Sequence, residues 1–103
     1  MGDTVYISGQ LPIDPATGSF PSDDVRDQTR MSLENIRAIL AAAGLTMANV
    51  VKTTVLLDDI GDFGAMNEVY GAYFAEPYPA RAAFEVAKLP KGAKVEIEVV
   101  AVR

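Results

Sequence analysis

Apolar residues along this chain follow two patterns, strand-like composition in four segments and helical spacing in two, and their order sets out an α+β architecture. Thr4 to Ser8 is β-branched or aromatic and runs into a cluster of turn formers, Gly9-Gln10, Pro12 and Asp14-Pro15-Ala16-Thr17-Gly18, so a strand followed by a loop is expected. Ser22-Asp23-Asp24 offers cap oxygens and first-turn acids to a helix over roughly residues 23 to 43. Its Val25, Ser32, Ile36, Ile39, Leu40 and Ala43 lie near one stripe, and Gly44 supplies a stop. Val50 to Leu57 reads as a central strand, because its apolar residues occupy both parities and ask for cover on both faces. Phe63, Met66, Val69, Tyr70 and Tyr73, spaced by three and four, predict a second helix over roughly residues 61 to 74, stopped before Pro77. Arg81 to Val86 and Lys94 to Val102 read as two more strands, joined through Leu89-Pro90-Lys91-Gly92 as a terminal antiparallel pair.

The order β-α-β-α-β-β, with right-handed crossovers, puts both helices on one face of a single mixed sheet. The other face is then bare, yet it is not polar: in the last strand Val95, Ile97 and Val99 alternate with Val100 and Val102. An uncovered apolar face predicts a homo-oligomer.

Composition agrees with that picture. Residues 1–103 have room for one domain, and 50% of them are apolar, ordinary globular usage but slightly rich for so short a chain, an excess that needs burying. With 14 acidic against 9 basic residues and a net charge of −5, the surface lacks the basic footprint of a nucleic-acid or membrane binder. There is no His and no Cys, so imidazole bases, thiolate nucleophiles, disulfides and nitrogen or sulfur metal ligands are unavailable, and neither metal nor cofactor is expected. Catalysis would fall to carboxylates, Arg or Lys, hydroxyls, backbone groups and water. Met1-Gly2-Asp3 opens without a basic stretch and apolar run, and the uncharged stretch from Ala38 up to Lys52 is broken by Gly44 and Asn49. A soluble, cytoplasmic protein is expected.

Few side chains then remain as candidates. Arg81 follows Pro79-Ala80 at the start of a strand, where its planar fork of donors suits a substrate carboxylate, although a surface Arg at a strand edge is the plainer reading. Glu96 and Glu98 share one face of a strand otherwise made of Val, Ile and Ala, and Glu85 sits in the strand before. A carboxylate buried there needs a partner or a function such as positioning water; a solvated edge or an ion pair across an interface would also account for it. Gly9 allows close backbone approach or a bulge. Asn67 interrupts the apolar pattern of the second helix, which an exposed position would explain. Asp23-Asp24 and Asp58-Asp59 fit helix capping better than cation binding.

Tyr6-Ile7-Ser8-Gly9-Gln10, Asn67-Glu68-Val69-Tyr70, Pro79-Ala80-Arg81-Ala82-Ala83, Val86-Ala87-Lys88-Leu89-Pro90 and Val95-Glu96-Ile97-Glu98, taken in order and spacing, resemble the RidA/YjgF family of reactive intermediate deaminases from end to end. The resemblance implies a chorismate-mutase-like fold, a homotrimer with pockets between subunits, and cofactor-free hydrolysis of 2-enamine or 2-imino acids to 2-keto acids and ammonia. It implies that Arg81 holds the substrate carboxylate, Glu96 positions the attacking water, backbone near Gly9 and Ala83 contacts the reacting end, and Ser8 and Asn67 support. A trimer that binds small carboxylic acids without catalysis, as sensor or regulator, is the alternative; a ribonuclease fits poorly without His and with this charge. Two departures stand out. The family carries a further strand and a Gly-Pro-Tyr segment ahead of the position of Gly2-Asp3-Thr4, so a pocket without that Tyr is expected. Many members also have Cys where Ala83 stands.

Overall fold

The computed structural model describes residues 2–103; Met1, which opens the N-terminal segment read above, lies outside the described residues. The elements run β1 (Thr4–Gln10), α1 (Val25–Ala42), β2 (Val50–Leu57), α2 (Phe63–Gly71), β3 (Ala80–Glu85) and β4 (Val95–Val102), with short 3-10 turns at Met47–Asn49, Ile60–Asp62 and Pro90–Gly92.

The helix ends follow the capping chemistry in the sequence. The Asp24 carboxylate accepts the Arg26 N–H at 2.8 Å and starts α1. At the far end the Gly44 N–H reaches the Ala41 carbonyl at 3.0 Å and the Leu45 N–H reaches Leu40 at 2.8 Å, with Gly44 at φ +76°, where a side chain would be strained. Asp59 accepts the Gly61 N–H at 2.8 Å and caps the 3-10 turn that leads into α2. Both acidic pairs thus supply a capping residue. α2 is shorter than its apolar spacing predicts, because that 3-10 turn occupies residues 60–62 and i to i+3 bonds from Ala72 to Val69 and from Tyr73 to Tyr70 tighten its end. Phe74 beyond it is nonetheless buried.

The sheet order is β1-β4-β2-β3. β4 pairs antiparallel with β1 and with β2, while β2 and β3 are parallel. The expected terminal hairpin of the last two strands is therefore not formed. Instead residues 86–94 pass over the end of β2, held by the Val86 N–H on the Leu57 carbonyl (2.9 Å) and the Asp58 N–H on the Lys94 carbonyl (3.1 Å), and β4 enters the sheet on the far side. Burial explains the choice. Val95, Ile97, Val99 and Ala101 of β4 are at most 2% exposed and need neighbours on both edges, whereas β3, with Arg81, Phe84 and Glu85 exposed, tolerates an edge. For the same reason β1 and β2 run parallel without being adjacent, with β4 between them.

Both helices pack on one sheet face. The core there joins Leu33, Ile36 and Leu40 of α1, Met66 and Tyr70 of α2, Val55 and Leu57 of β2, and the odd-numbered residues of β4. Among the described residues no element covers the opposite face, and its Tyr6 and Phe84 are 69% and 47% exposed. Among the described residues no helix is long and apolar enough to cross a membrane.

Candidate functional site

The predicted site residues separate into two groups on different faces of the sheet. In the β2–β3 ladder Arg81 stands opposite Thr53 and Ala83 opposite Val55, which places both on the helix-covered face. In the β2–β4 ladder Glu96 stands opposite Leu56 and Glu98 opposite Thr54, on the uncovered face.

On the covered side, three residues of α2 converge on Arg81. Phe63, Asn67 and Tyr70 share one helical stripe at positions i, i+4 and i+7. The guanidinium carbon of Arg81 lies 4.7 Å from the Tyr70 ring centroid and 5.3 Å from that of Phe63, and Nη1 donates to Asn67 Oδ1 at 2.6 Å. Aromatic faces and an amide oxygen orient the cation without cancelling its charge. Among the described residues Arg81 forms no ion pair with a carboxylate. It opens onto a cleft of about 500 Å³ lined also by Gly71, Tyr78 and Pro79. Beneath it, Tyr70 Oη and the Thr53 hydroxyl share a 2.7 Å hydrogen bond in the interior. Burial pushes the Tyr70 hydroxyl up from its ordinary pKa, against the opposing pull of the Thr53 hydrogen bond and the Arg81 charge. A guanidinium that is oriented but not neutralised, at the wall of a cleft, can receive an anion, and its two-pronged geometry suits a carboxylate.

On the uncovered side, Glu96 meets β1 at a bulge. Ile7 stands opposite Val99 but Gln10 opposite Ile97, so β1 holds one extra residue there, at Ser8-Gly9. A Cβ at Gly9 would overlap the Glu96 carboxylate and stand 2.9 Å from its carbon, so glycine is what lets this carboxylate lie against the strand. The two sequence readings of Gly9, bulge and close approach, are both realised, and the group approached is Glu96. Ser8 lines a neighbouring hollow of about 280 Å³ with Tyr6, Lys52, Thr54 and Glu98.

Thus Arg81 and Asn67 come together, Gly9 and Glu96 come together, and the two pairs do not face one another within the chain. Glu85 belongs to neither group; its carboxylate accepts the Ile60 N–H at 2.9 Å and fixes the turn before α2. The spacing of the aromatic residues of α2 predicts a helix and its apolar face, but not their place at the site. Tyr70 is core and also the seat of Arg81, and Phe63 and Tyr78 flank the same cation or cleft. The signal was present in the common stripe of Phe63, Asn67 and Tyr70, which puts the one polar residue between two rings.

The whole chain, residues 1–103, matches the family model described as Endoribonuclease L-PSP. A RutC family protein of Sinorhizobium fredii is 57% identical over 100 residues, 97% of this chain and 79% of that one. The human protein named 2-iminobutanoate/2-iminopropanoate deaminase is 52% identical over 100 residues, 97% of this chain and 73% of its own length. Among solved structures, Escherichia coli TdcF with bound serine superposes with a TM-score of 0.94 at 49% identity, covering 100% of this chain and 83% of that one.

Proposed function

The chain belongs to the RidA/YjgF family, and we propose that within it the protein hydrolyses reactive 2-imino acids, and their 2-enamine tautomers, to 2-keto acids and ammonia. The observation that carries this reading is Arg81, seated on Tyr70 and Phe63, hydrogen-bonded to Asn67, and free of any carboxylate partner among the described residues. Such a group binds the carboxylate common to every 2-imino acid. The human relative's name and the serine bound to TdcF, itself a small amino acid with a carboxylate, point to the same substrate class.

The reaction asks little of the protein. The imine carbon is already electrophilic; water adds to it, the resulting carbinolamine expels ammonia, and the carbonyl forms. Glu96 takes one proton from the attacking water and passes it to the imine nitrogen, then takes the proton of the carbinolamine hydroxyl as the carbonyl forms and passes it to the departing amine. Arg81 holds the carboxylate throughout, and bringing water to the bound imine and moving these two protons supply the acceleration. Ser8 and the backbone at Gly9 and Ala83 border the reacting end in this scheme.

Because Arg81 and Glu96 occupy different faces of one chain, a single substrate reaches both only where a second copy supplies one of them. The uncovered face, with Tyr6 and Phe84 exposed, is the surface a neighbouring copy would bury. A homotrimer with three pockets between subunits satisfies both requirements. We prefer this reading to a ribonuclease because the chain carries a net charge of −5 and no histidine.

The test mixes purified protein with threonine dehydratase and threonine and follows decay of the transient imine by absorbance. Wild type should accelerate the decay and Arg81→Ala should not. If wild type is inert but still binds 2-oxobutanoate, the deaminase reading falls and a carboxylate-binding trimer, acting as sensor or regulator, takes its place.

A further inference from the structure

We propose that Tyr70 is a positioning residue for Arg81, holding the guanidinium at the angle that receives the substrate carboxylate; this rests on the carboxylate-binding reading of the cleft given above. The argument begins with a closed circuit of three contacts. Arg81 on β3 stands opposite Thr53 on β2 in the parallel ladder. Thr53 Oγ1 is bonded to Tyr70 Oη on α2 at 2.7 Å. The Tyr70 ring returns to Arg81, with the guanidinium carbon 4.7 Å from its centroid. Ladder register, a buried hydroxyl pair and a cation–ring contact thus relate the same three residues, which come from three different structural elements.

The circuit matters because Arg81 is otherwise poorly constrained. It lies at the start of an edge strand and is exposed, and an arginine there loses much side-chain entropy if it is to adopt one rotamer. A carboxylate neighbour would fix it at the cost of neutralising the charge a substrate needs. Aromatic faces fix it while leaving the charge in place, and a ring that is itself held fixes it more closely than a free one. Thr53 is fully buried, so its hydroxyl has a strong demand for a partner, and meeting it sets the height and tilt of the Tyr70 ring against the very strand that neighbours Arg81. Phe63 provides a second wall and Asn67 an acceptor for one Nη, from the adjacent turns of the same helix.

Positioning predicts a pattern that simple loosening of the fold does not give. The carboxylate is bound alike in the substrate and along the reaction, so a misaligned Arg81 should raise KM and leave kcat nearly unchanged. The experiment measures kcat and KM for 2-iminobutanoate generated in situ, and Kd for 2-oxobutanoate by calorimetry, on the full chain. Tyr70→Leu should raise KM and Kd about tenfold with kcat altered by less than about threefold, and Tyr70→Phe, which keeps the ring and loses its anchor, should recover most of the affinity. Unchanged Kd in a folded Tyr70→Leu protein would overturn the proposal, as would equal losses for Leu and Phe, or a fall in kcat without a rise in KM. Should Tyr70→Leu not fold, Tyr70→Met, closer in volume but without the ring, replaces it: 2-oxobutanoate bound severalfold more weakly supports the circuit, and unchanged binding overturns it. Wild type that neither accelerates imine decay nor binds 2-oxobutanoate is a different result, which removes the carboxylate reading of the cleft and this proposal with it.

Discussion

Arg81 and Glu96 lie on opposite faces of one sheet, Arg81 across from Thr53 beneath α2 and Glu96 across from Leu56 on the side no helix covers. Both cannot touch one small molecule from within a single chain. If each pocket takes Arg81 from one subunit and Glu96 from its neighbour, two inactive variants should complement each other. Arg81→Ala and Glu96→Gln, unfolded together and reassembled, should regain about a quarter of wild-type turnover, since every mixed trimer then holds one intact pocket of three. Each variant reassembled alone should stay inactive. Absence of recovery in proven mixed trimers would mean that the pair does not work across an interface.

Gly9 controls where the Glu96 carboxylate lies. Its backbone is in the ordinary negative-φ range, so alanine is conformationally allowed, but the added methyl group would stand in the space of that carboxylate. Gly9→Ala should therefore leave thermal stability within about 1 kcal/mol, because the displaced atoms end a flexible side chain, while lowering imine turnover about as far as Glu96→Gln does. Binding of 2-oxobutanoate, measured by calorimetry, should be retained, and its loss would indicate that Gly9 shapes the carboxylate end of the site instead.

The hydroxyl pair of Tyr70 and Thr53 should behave as a unit in unfolding. Tyr70→Phe leaves a fully buried Thr53 hydroxyl without its partner and should cost about 1–3 kcal/mol. Adding Thr53→Val removes the orphan and should restore part of that loss. Denaturant midpoints of the four proteins form a double-mutant cycle, and strict additivity would show that the two hydroxyls are not coupled.

Tyr73 provides an alkaline signature. Burial, then a 2.6 Å hydrogen bond donated to Glu34 and the charge of that carboxylate, push its hydroxyl up to about 12. In the unfolded chain the same group ionises near 10, so between these values the native state holds a proton that the unfolded state has lost. Its contribution to stability is complete below about pH 10 and disappears as pH rises toward 12. Urea unfolding across that window should show a steeper decline for wild type than for Tyr73→Phe; parallel curves would refute the assignment.

Local chemistry was legible in the sequence wherever a signal and its target sit within a few residues. Asp24, Gly44 and Asp59 mark helix or turn ends by bonding to groups two to four positions away, and each was readable for that reason. The spacing of Leu40 and Ile36, or of Met66 and Tyr70, fixed which faces are buried, and the apolar alternation of β4 announced an uncovered second face. Motif resemblance named Arg81, Glu96, Ser8, Gly9, Asn67 and Ala83 as a set. What it could not supply was how the set divides.

That division depends on strand partnership, which tertiary structure decides. The Pro90-Lys91-Gly92 reversal is equally compatible with a hairpin and with a crossing over the end of β2, because a turn constrains direction locally and says nothing about the partner beyond it. The outcome was set by burial: β4 gains most by lying between β1 and β2, and β3 loses least at the edge. Once β3 is paired with β2, parity turns Arg81 toward α2 and its aromatic seat. Once β4 is paired with β1, parity and the bulge turn Glu96 toward Gly9. The sequence alone determined the elements, their capped ends and the list of reactive groups, since these follow from short-range bonding and periodicity. Only the packed sheet determined which groups meet, since that is a long-range balance of apolar burial that no local stretch of chain contains.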